Sequence, residues 1–220
     1  MKKSILILSA SFVLGIALLL SLMGQDAKKE SKTDGVFVDS TKNNGSFETG
    51  KINPWAPVSI LVSTMDSGQA NDKNIIKVVE DPAFASNGKF YLSLQSAGDP
   101  KGKLVCARID LRNIQGIDLE KGRTFILSWD IRNGEKAFST PIVEFLALTK
   151  TGAVMAKQEP LTKDPAVSDK WVKRTIKLVM PDTLKEFDSI HLRIGYAHQP
   201  TEAGDVYVGY IDNITLAQVK

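Results

Sequence analysis

Two histidines, His191 and His198, and one cysteine, Cys106, are the only imidazole and thiol groups in this chain of 220 residues. The histidines do not stand at His-x-x-x-His or any related metal-ligand spacing, and no glycine-rich phosphate loop accompanies them. No Gly-x-Ser-x-Gly elbow is present. A Cys106–His191 dyad lacks an identifiable third group to orient it. Cys106 also sits between Val105 and Ala107 with no basic cluster beside it, so a buried, inert thiol is expected. Carboxylates are too common here to define an acid–base pair without geometry. The inventory favours recognition over catalysis.

Recognition has better material. Tyr91, Arg108, Asp130, Arg132, Glu144, His191 and Arg193 fall on the polar phase of alternating segments. Together they offer planar donors, acceptors and one ring with a polar tip. The competing reading is a solvated face laced with cross-strand ion pairs. Trp55, in Asn53-Pro54-Trp55-Ala56-Pro57, would either stack on a ligand at a rim or pack beneath its own loop. Trp129 shares the phase of Phe125 and Leu127 and belongs to the core.

The segments that carry these residues read as strands. Thr124–Arg132 places Phe125, Leu127, Trp129 and Ile131 on one side and Ser128, Asp130 and Arg132 on the other. Ser189–Tyr196 sets Ile190, Leu192, Ile194 and Tyr196 against His191 and Arg193. Val105–Leu111 and Phe90–Leu94 alternate likewise, and period two means strands with one face on a core. Further strands are expected at Ser59–Ser63, Ile75–Glu80, Ile142–Thr149, Trp171–Met180 and Val206–Leu216. Turns fall at Ser86-Asn87-Gly88, Gly98-Asp99-Pro100, Arg132-Asn133-Gly134 and Gln199-Pro200. Helix is scarce, with one short turn expected in Asp182–Phe187. The expected fold class is all-β, a two-layer antiparallel β-sandwich.

Ahead of this domain, Met1-Lys2-Lys3 precedes an uncharged apolar run from Ile5 to Met23. Its length lies between a signal peptide and a membrane span, so residues 1–24 read as a signal peptide or a retained export helix, with residues 4–24 then a membrane tether. Residues 25–43 read as a polar linker and 44–220 as the sandwich domain. The expected location is secreted, periplasmic or at the cell surface. The lone cysteine allows no internal disulfide. Without the two leader lysines, 26 basic residues face 25 acidic ones, which argues against a nucleic-acid partner.

Five markers occur in order: Asn44-Gly45-Ser46-Phe47-Glu48 followed by Trp55; Asn87-Gly88-Lys89-Phe90-Tyr91-Leu92-Ser93-Leu94; Gly122-Arg123-Thr124-Phe125; Trp171-Val172-Lys173; and Ile211-Asp212-Asn213-Ile214. This order resembles the jelly-roll carbohydrate-binding modules of the cellulose- and xylan-binding type, families 4, 9 and 22, in the galactose-binding-like superfamily, across residues 43–218. The resemblance implies non-catalytic binding of a glycan or polysaccharide by a jelly roll. The outward set and Trp55 are then the candidate carbohydrate contacts. It also implies a structural calcium held by Glu48 and Asp212, whose alternative role is to bond loop amides. After Trp129 the family often has an aromatic residue, whereas this chain has Asp130, which turns the expectation from long neutral chains towards charged or short glycans. The alternative function is a cell-envelope protein-interaction module on the same fold.

Overall fold

The computed structural model describes residues 33–61, 76–97, 103–120, 122–134, 140–148, 154–160, 169–180, 188–198 and 206–219. The chain divides into Met1–Lys32 and Thr33–Lys220. The expected leader, Gly98-Asp99-Pro100, Asp182–Phe187 and Gln199-Pro200 lie outside the described residues. Among those described, no helix is long and apolar enough to cross a membrane.

Eleven strands form two antiparallel sheets. They are β1 (Thr33–Val38), β2 (Ala56–Leu61), β3 (Ile76–Glu80), β4 (Phe90–Ala97), β5 (Lys103–Asp110), β6 (Thr124–Asn133), β7 (Thr140–Leu148), β8 (Val154–Pro160), β9 (Val172–Val179), β10 (Ser189–His198) and β11 (Val206–Val219). The first sheet runs β3-β4-β11-β6-β9, with β1 also paired to β11; the second runs β2-β5-β10-β7-β8. This is the expected two-layer sandwich with jelly-roll architecture.

Alternation builds the core. Leu92 and Leu94 of β4, Phe125, Leu127, Trp129 and Ile131 of β6 and Ile211 of β11 face the other sheet. Val105, Ala107 and Ile109 of β5 and Ile190, Leu192, Ile194 and Tyr196 of β10 meet them. Each such side chain leaves water, at roughly 1.5–3 kcal/mol for full burial. Tyr196 also ties the layers by a bond, its hydroxyl donating to the Arg132 carbonyl at 2.9 Å. Its ring lies against Gly209, where a Cβ would approach to 2.4 Å, so β11 needs glycine at that point.

One boundary is corrected. Thr33–Val38, expected inside the linker of residues 25–43, is strand β1, with Val38 fully buried and Val36 opposite Ala217. Its short Val-Phe-Val centre is overshadowed in the sequence by the lysines and aspartates around it. Strand β8 was also not anticipated, because Ala156-Lys157-Gln158-Glu159 carries little apolar signal. The helical content described is a 3-10 turn at Leu111–Asn113.

The motif Asn44-Gly45-Ser46-Phe47 plugs the base of the sandwich. Phe47 is fully buried, and the Ile214 amide donates to the Gly45 carbonyl at 2.8 Å. The Asn44 side chain donates to the carbonyls of Lys51 and Asn53 at 2.6 and 3.0 Å. Trp55 is 1% exposed and donates its indole N–H to the Asn43 carbonyl at 3.0 Å. The motif that carries the resemblance therefore reports on fold.

Candidate functional site

The outward residues do not form one groove, because they divide between opposite faces of the sandwich. Tyr91, Asp130 and Arg132 lie on the outer face of the six-stranded sheet; Arg108, Glu144, His191 and Arg193 lie on the outer face of the five-stranded sheet. Trp55 is on neither, and its burial removes it as a sugar platform. Parity along a strand gives the face relative to the core, but it cannot tell which of two sheets that strand joins.

On the six-stranded sheet, the outward residues hold the segment Asp81–Lys89. Phe84 of this segment packs at 4.9 Å from both Tyr91 and Tyr210 and 6.0 Å from Trp171, measured between ring centroids. The Arg132 guanidinium lies 3.9 Å over the Phe84 ring, a cation–π contact. Trp171 donates its indole N–H to the Phe84 carbonyl at 2.6 Å. Asp130 accepts from the Ser86 hydroxyl at 2.5 Å and from the Asn213 side chain at 3.1 Å. Tyr91 and Asp130 are consequently buried, contrary to the wet face expected for them. The signal available in the sequence is the outward phase of Tyr210 beside inward Ile211, with Phe84 placed in a turn where an apolar ring needs a partner.

Glu48 and Asp212 grip the same segment from two sides. Glu48 Oε1 accepts from the amides of Lys89 and Phe90 at 2.9 and 3.1 Å. Asp212 Oδ2 accepts from the amides of Ser86 and Asn87 at 3.0 and 3.1 Å, and its Oδ1 from the Asn213 amide at 2.6 Å. A bulge in β11 with Asn213 at φ 52° presents Asp212 there. Gly88 is required beside it: its φ is 77°, and a Cβ would meet the Glu48 carboxylate at 2.3 Å. Calcium takes six to eight oxygens. Three of the pair's four carboxylate oxygens already accept amides, and among the described residues no group of three acidic, His or Cys side chains converges. The donor set here fits an amide clamp and does not make up a calcium cage.

The outer face of the five-stranded sheet is where polar groups converge without such a task. Register places Arg108 of β5 opposite Arg193 of β10, and Arg193 opposite Glu144 of β7. Arg193 Nη1 and Glu144 Oε2 form an ion pair at 3.4 Å, with side chains 4% and 5% exposed. His191 is buried one inter-strand step along β10, opposite Asp110 and Leu146. Arg193 Nε and His191 Nδ1 are buried without a hydrogen-bond partner, an expensive condition for polar atoms. Next to this polar row lies a small apolar cluster of Val58, Leu104 and Cys106, flanked by Ile142 and Ala197. Gly195, opposite Cys106, leaves no side chain over β10 there. This apolar strip was not anticipated as part of a site, because each of its members is an ordinary core residue in isolation.

Electrostatics on this face follow from burial. Desolvation, reinforced by the positive charges of Arg108 and Arg193, pushes the His191 imidazole down to about 4, so it is neutral near pH 7. Desolvation and the facing Arg193 also lower the Arg108 guanidinium. Burial pushes the Cys106 thiol up to about 12, which keeps it protonated. Cys106 pairs with Gly195 and His191 with Asp110. Four residues of extended strand separate them, about 13 Å, so they form no dyad.

On the other face, burial, partly offset by the three amides and reinforced by Asp130, raises Asp212 to about 7. The two shifts act oppositely on stability. A raised carboxyl binds its proton preferentially in the folded state, so Asp212 contributes stability in acid that is lost as pH rises from about 4 to about 7. The depressed imidazole favours the unfolded state when protonated, so stability from His191 is lost as pH falls from about 6.5 to about 4. Relative to the native chain, His191→Gln is expected to gain melting temperature between pH 7 and pH 5, and Asp212→Asn to lose it. Melts at pH 7.5, 6 and 5 check both; identical pH profiles for all three proteins would remove both assignments.

Compared with known proteins, the chain matches no sequence-family profile and no curated protein sequence. Solved structures do share its fold. The CBM22-1 xylan-binding domain from Paenibacillus barcinonensis Xyn10C is 15% identical with a TM-score of 0.54, the alignment covering 86% of this chain and 97% of that one. The CBM22-2 xylan-binding domain of the same protein is 14% identical, TM-score 0.54, covering 79% and 96%. The C-terminal family 22 carbohydrate-binding module of Clostridium thermocellum Xyn10B is 13% identical, TM-score 0.51, covering 87% and 97%. The chain thus has the jelly-roll fold of carbohydrate-binding modules. At these identities the likeness concerns the fold.

Proposed function

We propose that this protein is a non-catalytic glycan-binding module, part of an exported chain, and that it binds through the outer face of its five-stranded sheet. The observation that carries this reading is the row Arg108–Arg193–Glu144 with His191, where the buried Arg193 Nε and His191 Nδ1 have no partner of their own. Planar guanidinium and carboxylate groups bond vicinal hydroxyls. Xylan binding by domains of the same fold supports the ligand class.

Burial sets the mode. Arg193, Glu144 and His191 are buried and Arg108 is half-buried, so the row meets solvent at Arg108. A chain end or a short glycan suits such a site better than the side of a long polymer. The test is a glycan screen with the purified protein, followed by calorimetry on the best ligand. Arg108→Ala is expected to weaken that ligand at least tenfold, with a native circular dichroism spectrum. A screen without binding, or full affinity in the variant, contradicts the reading.

A further inference from the structure

We infer that the ligand of this face is an acidic sugar, bound through its anion at Arg108. The inference rests on the glycan-binding reading and specifies its ligand. Its basis is the placement of charge across neighbouring strands. Two guanidinium groups stand directly opposite each other at Arg108 and Arg193, and like charges so placed are unfavourable. Glu144 relieves only one of them: it lies on the far side of Arg193, on β7, and its ion pair is with Arg193.

Arg108 has no such relief. Among the described residues it forms no ion pair, and its other cross-strand neighbour, on β2, is Ala56. Asp110 is two residues along the same strand face, but its Oδ1 is engaged by the amides of Arg112 and Ile190 at 3.0 and 3.2 Å. Arg193 acts on Arg108 more strongly than Asp110 does, and Arg108 likewise outweighs Asp110 at His191. His191, being neutral, adds no positive charge but offers a ring nitrogen, Nδ1, for a hydroxyl.

A half-buried guanidinium that forms no ion pair among the described residues suits an anion of single charge and planar or fork geometry. In a sugar, a uronate carboxylate or a sulfate ester supplies it. The anion would pair with Arg108, where the row meets solvent. A neutral sugar would leave Arg108 as it stands and forgo the charge-assisted bond.

Calorimetry on the whole protein compares trigalacturonate, its methyl ester and a singly sulfated neutral trisaccharide. The ester keeps ring, hydroxyls and size and removes the charge. The inference expects trigalacturonate or the sulfated sugar to bind at least tenfold more tightly than the ester. It also expects that preference to disappear in Arg108→Gln and to shrink as salt rises from about 50 to 500 mM, because added salt screens the charge pair. The better of the two anionic probes tells carboxylate from sulfate. The ester comparison needs no variant, so a misfolded Arg108→Gln leaves the result standing. Equal or tighter binding of the ester overturns the acidic-sugar inference while leaving glycan binding intact. If none of the probes binds and the wider glycan screen is also empty, the glycan-binding reading falls, and the inference with it.

Discussion

Replacing Glu144 with alanine is expected to destabilise the domain by about 3–5 kcal/mol, the range for removing one partner of a buried ion pair. Arg193 would then be left 4% exposed, opposite a second arginine and without its carboxylate partner. Removing both charges together should be far milder. Glu144→Leu with Arg193→Met leaves apolar groups of similar volume next to Val58, Leu104 and Cys106, and a net cost within about 1–2 kcal/mol is expected. The gap between the single and the double variant in urea unfolding isolates the penalty of an orphaned charge. A cost below about 1 kcal/mol for Glu144→Ala would mean that this pair behaves as a solvated surface contact. The buried recognition site would then be untenable.

The second large effect concerns Trp129. Its ring is fully buried between the sheets, so Trp129→Ala should cost about 3–5 kcal/mol through lost burial and the cavity left behind. The indole N–H is buried without a partner. Trp129→Phe removes that unsatisfied donor while keeping most of the ring, and a cost of only about 1–2 kcal/mol is expected. A platform residue would show the reverse pattern: little change in stability and a large loss of glycan affinity. Chemical denaturation with a parallel binding measurement on Trp129→Phe separates the two roles.

The fold is legible because it depends on a local regularity. Phe125, Leu127, Trp129 and Ile131, and again Ile190, Leu192, Ile194 and Tyr196, write their burial into the sequence at period two. Where the regularity is short or weak, as in Thr33–Val38 or Val154–Pro160, strands are hard to see, because their pairing partners supply most of the reason they are strands. Site geometry is less legible still. Asp130 and Arg193 share the same polar phase in the sequence, yet one fastens Ser86 and the other faces Glu144 across the opposite sheet. Sheet membership is decided by long-range pairing, such as β10 with β5 over some eighty residues, and no spacing rule within a strand contains it.

The resemblance itself divides along the same line. Asn44, Gly45, Phe47 and Trp55 form a structural plug, so their presence speaks to architecture. Glu48 and Asp212, for which the resemblance implies a calcium site, bond successive amides of the turn that also carries Phe84. The same turn takes up Tyr91, Asp130 and Arg132, three of the residues expected to contact sugar. The aromatic face of the six-stranded sheet therefore serves to dock a loop. On the opposite sheet, Arg193 Nε and His191 Nδ1 are buried without a hydrogen-bond partner, in a row with Arg108 and Glu144.

The most direct measurement is an NMR titration that follows arginine Nε–Hε signals while an oligosaccharide is added. The two faces of the sandwich carry separate reporters, Arg108 and Arg193 on one and Arg132 on the other. The account expects the Arg108 and Arg193 signals to shift together, with the Arg108 Nε–H moving most as the anion pairs with it, while Arg132 stays fixed. Shifts at Arg132 and the indole of Trp171, with Arg108 and Arg193 unmoved, would place recognition on the opposite sheet and contradict it.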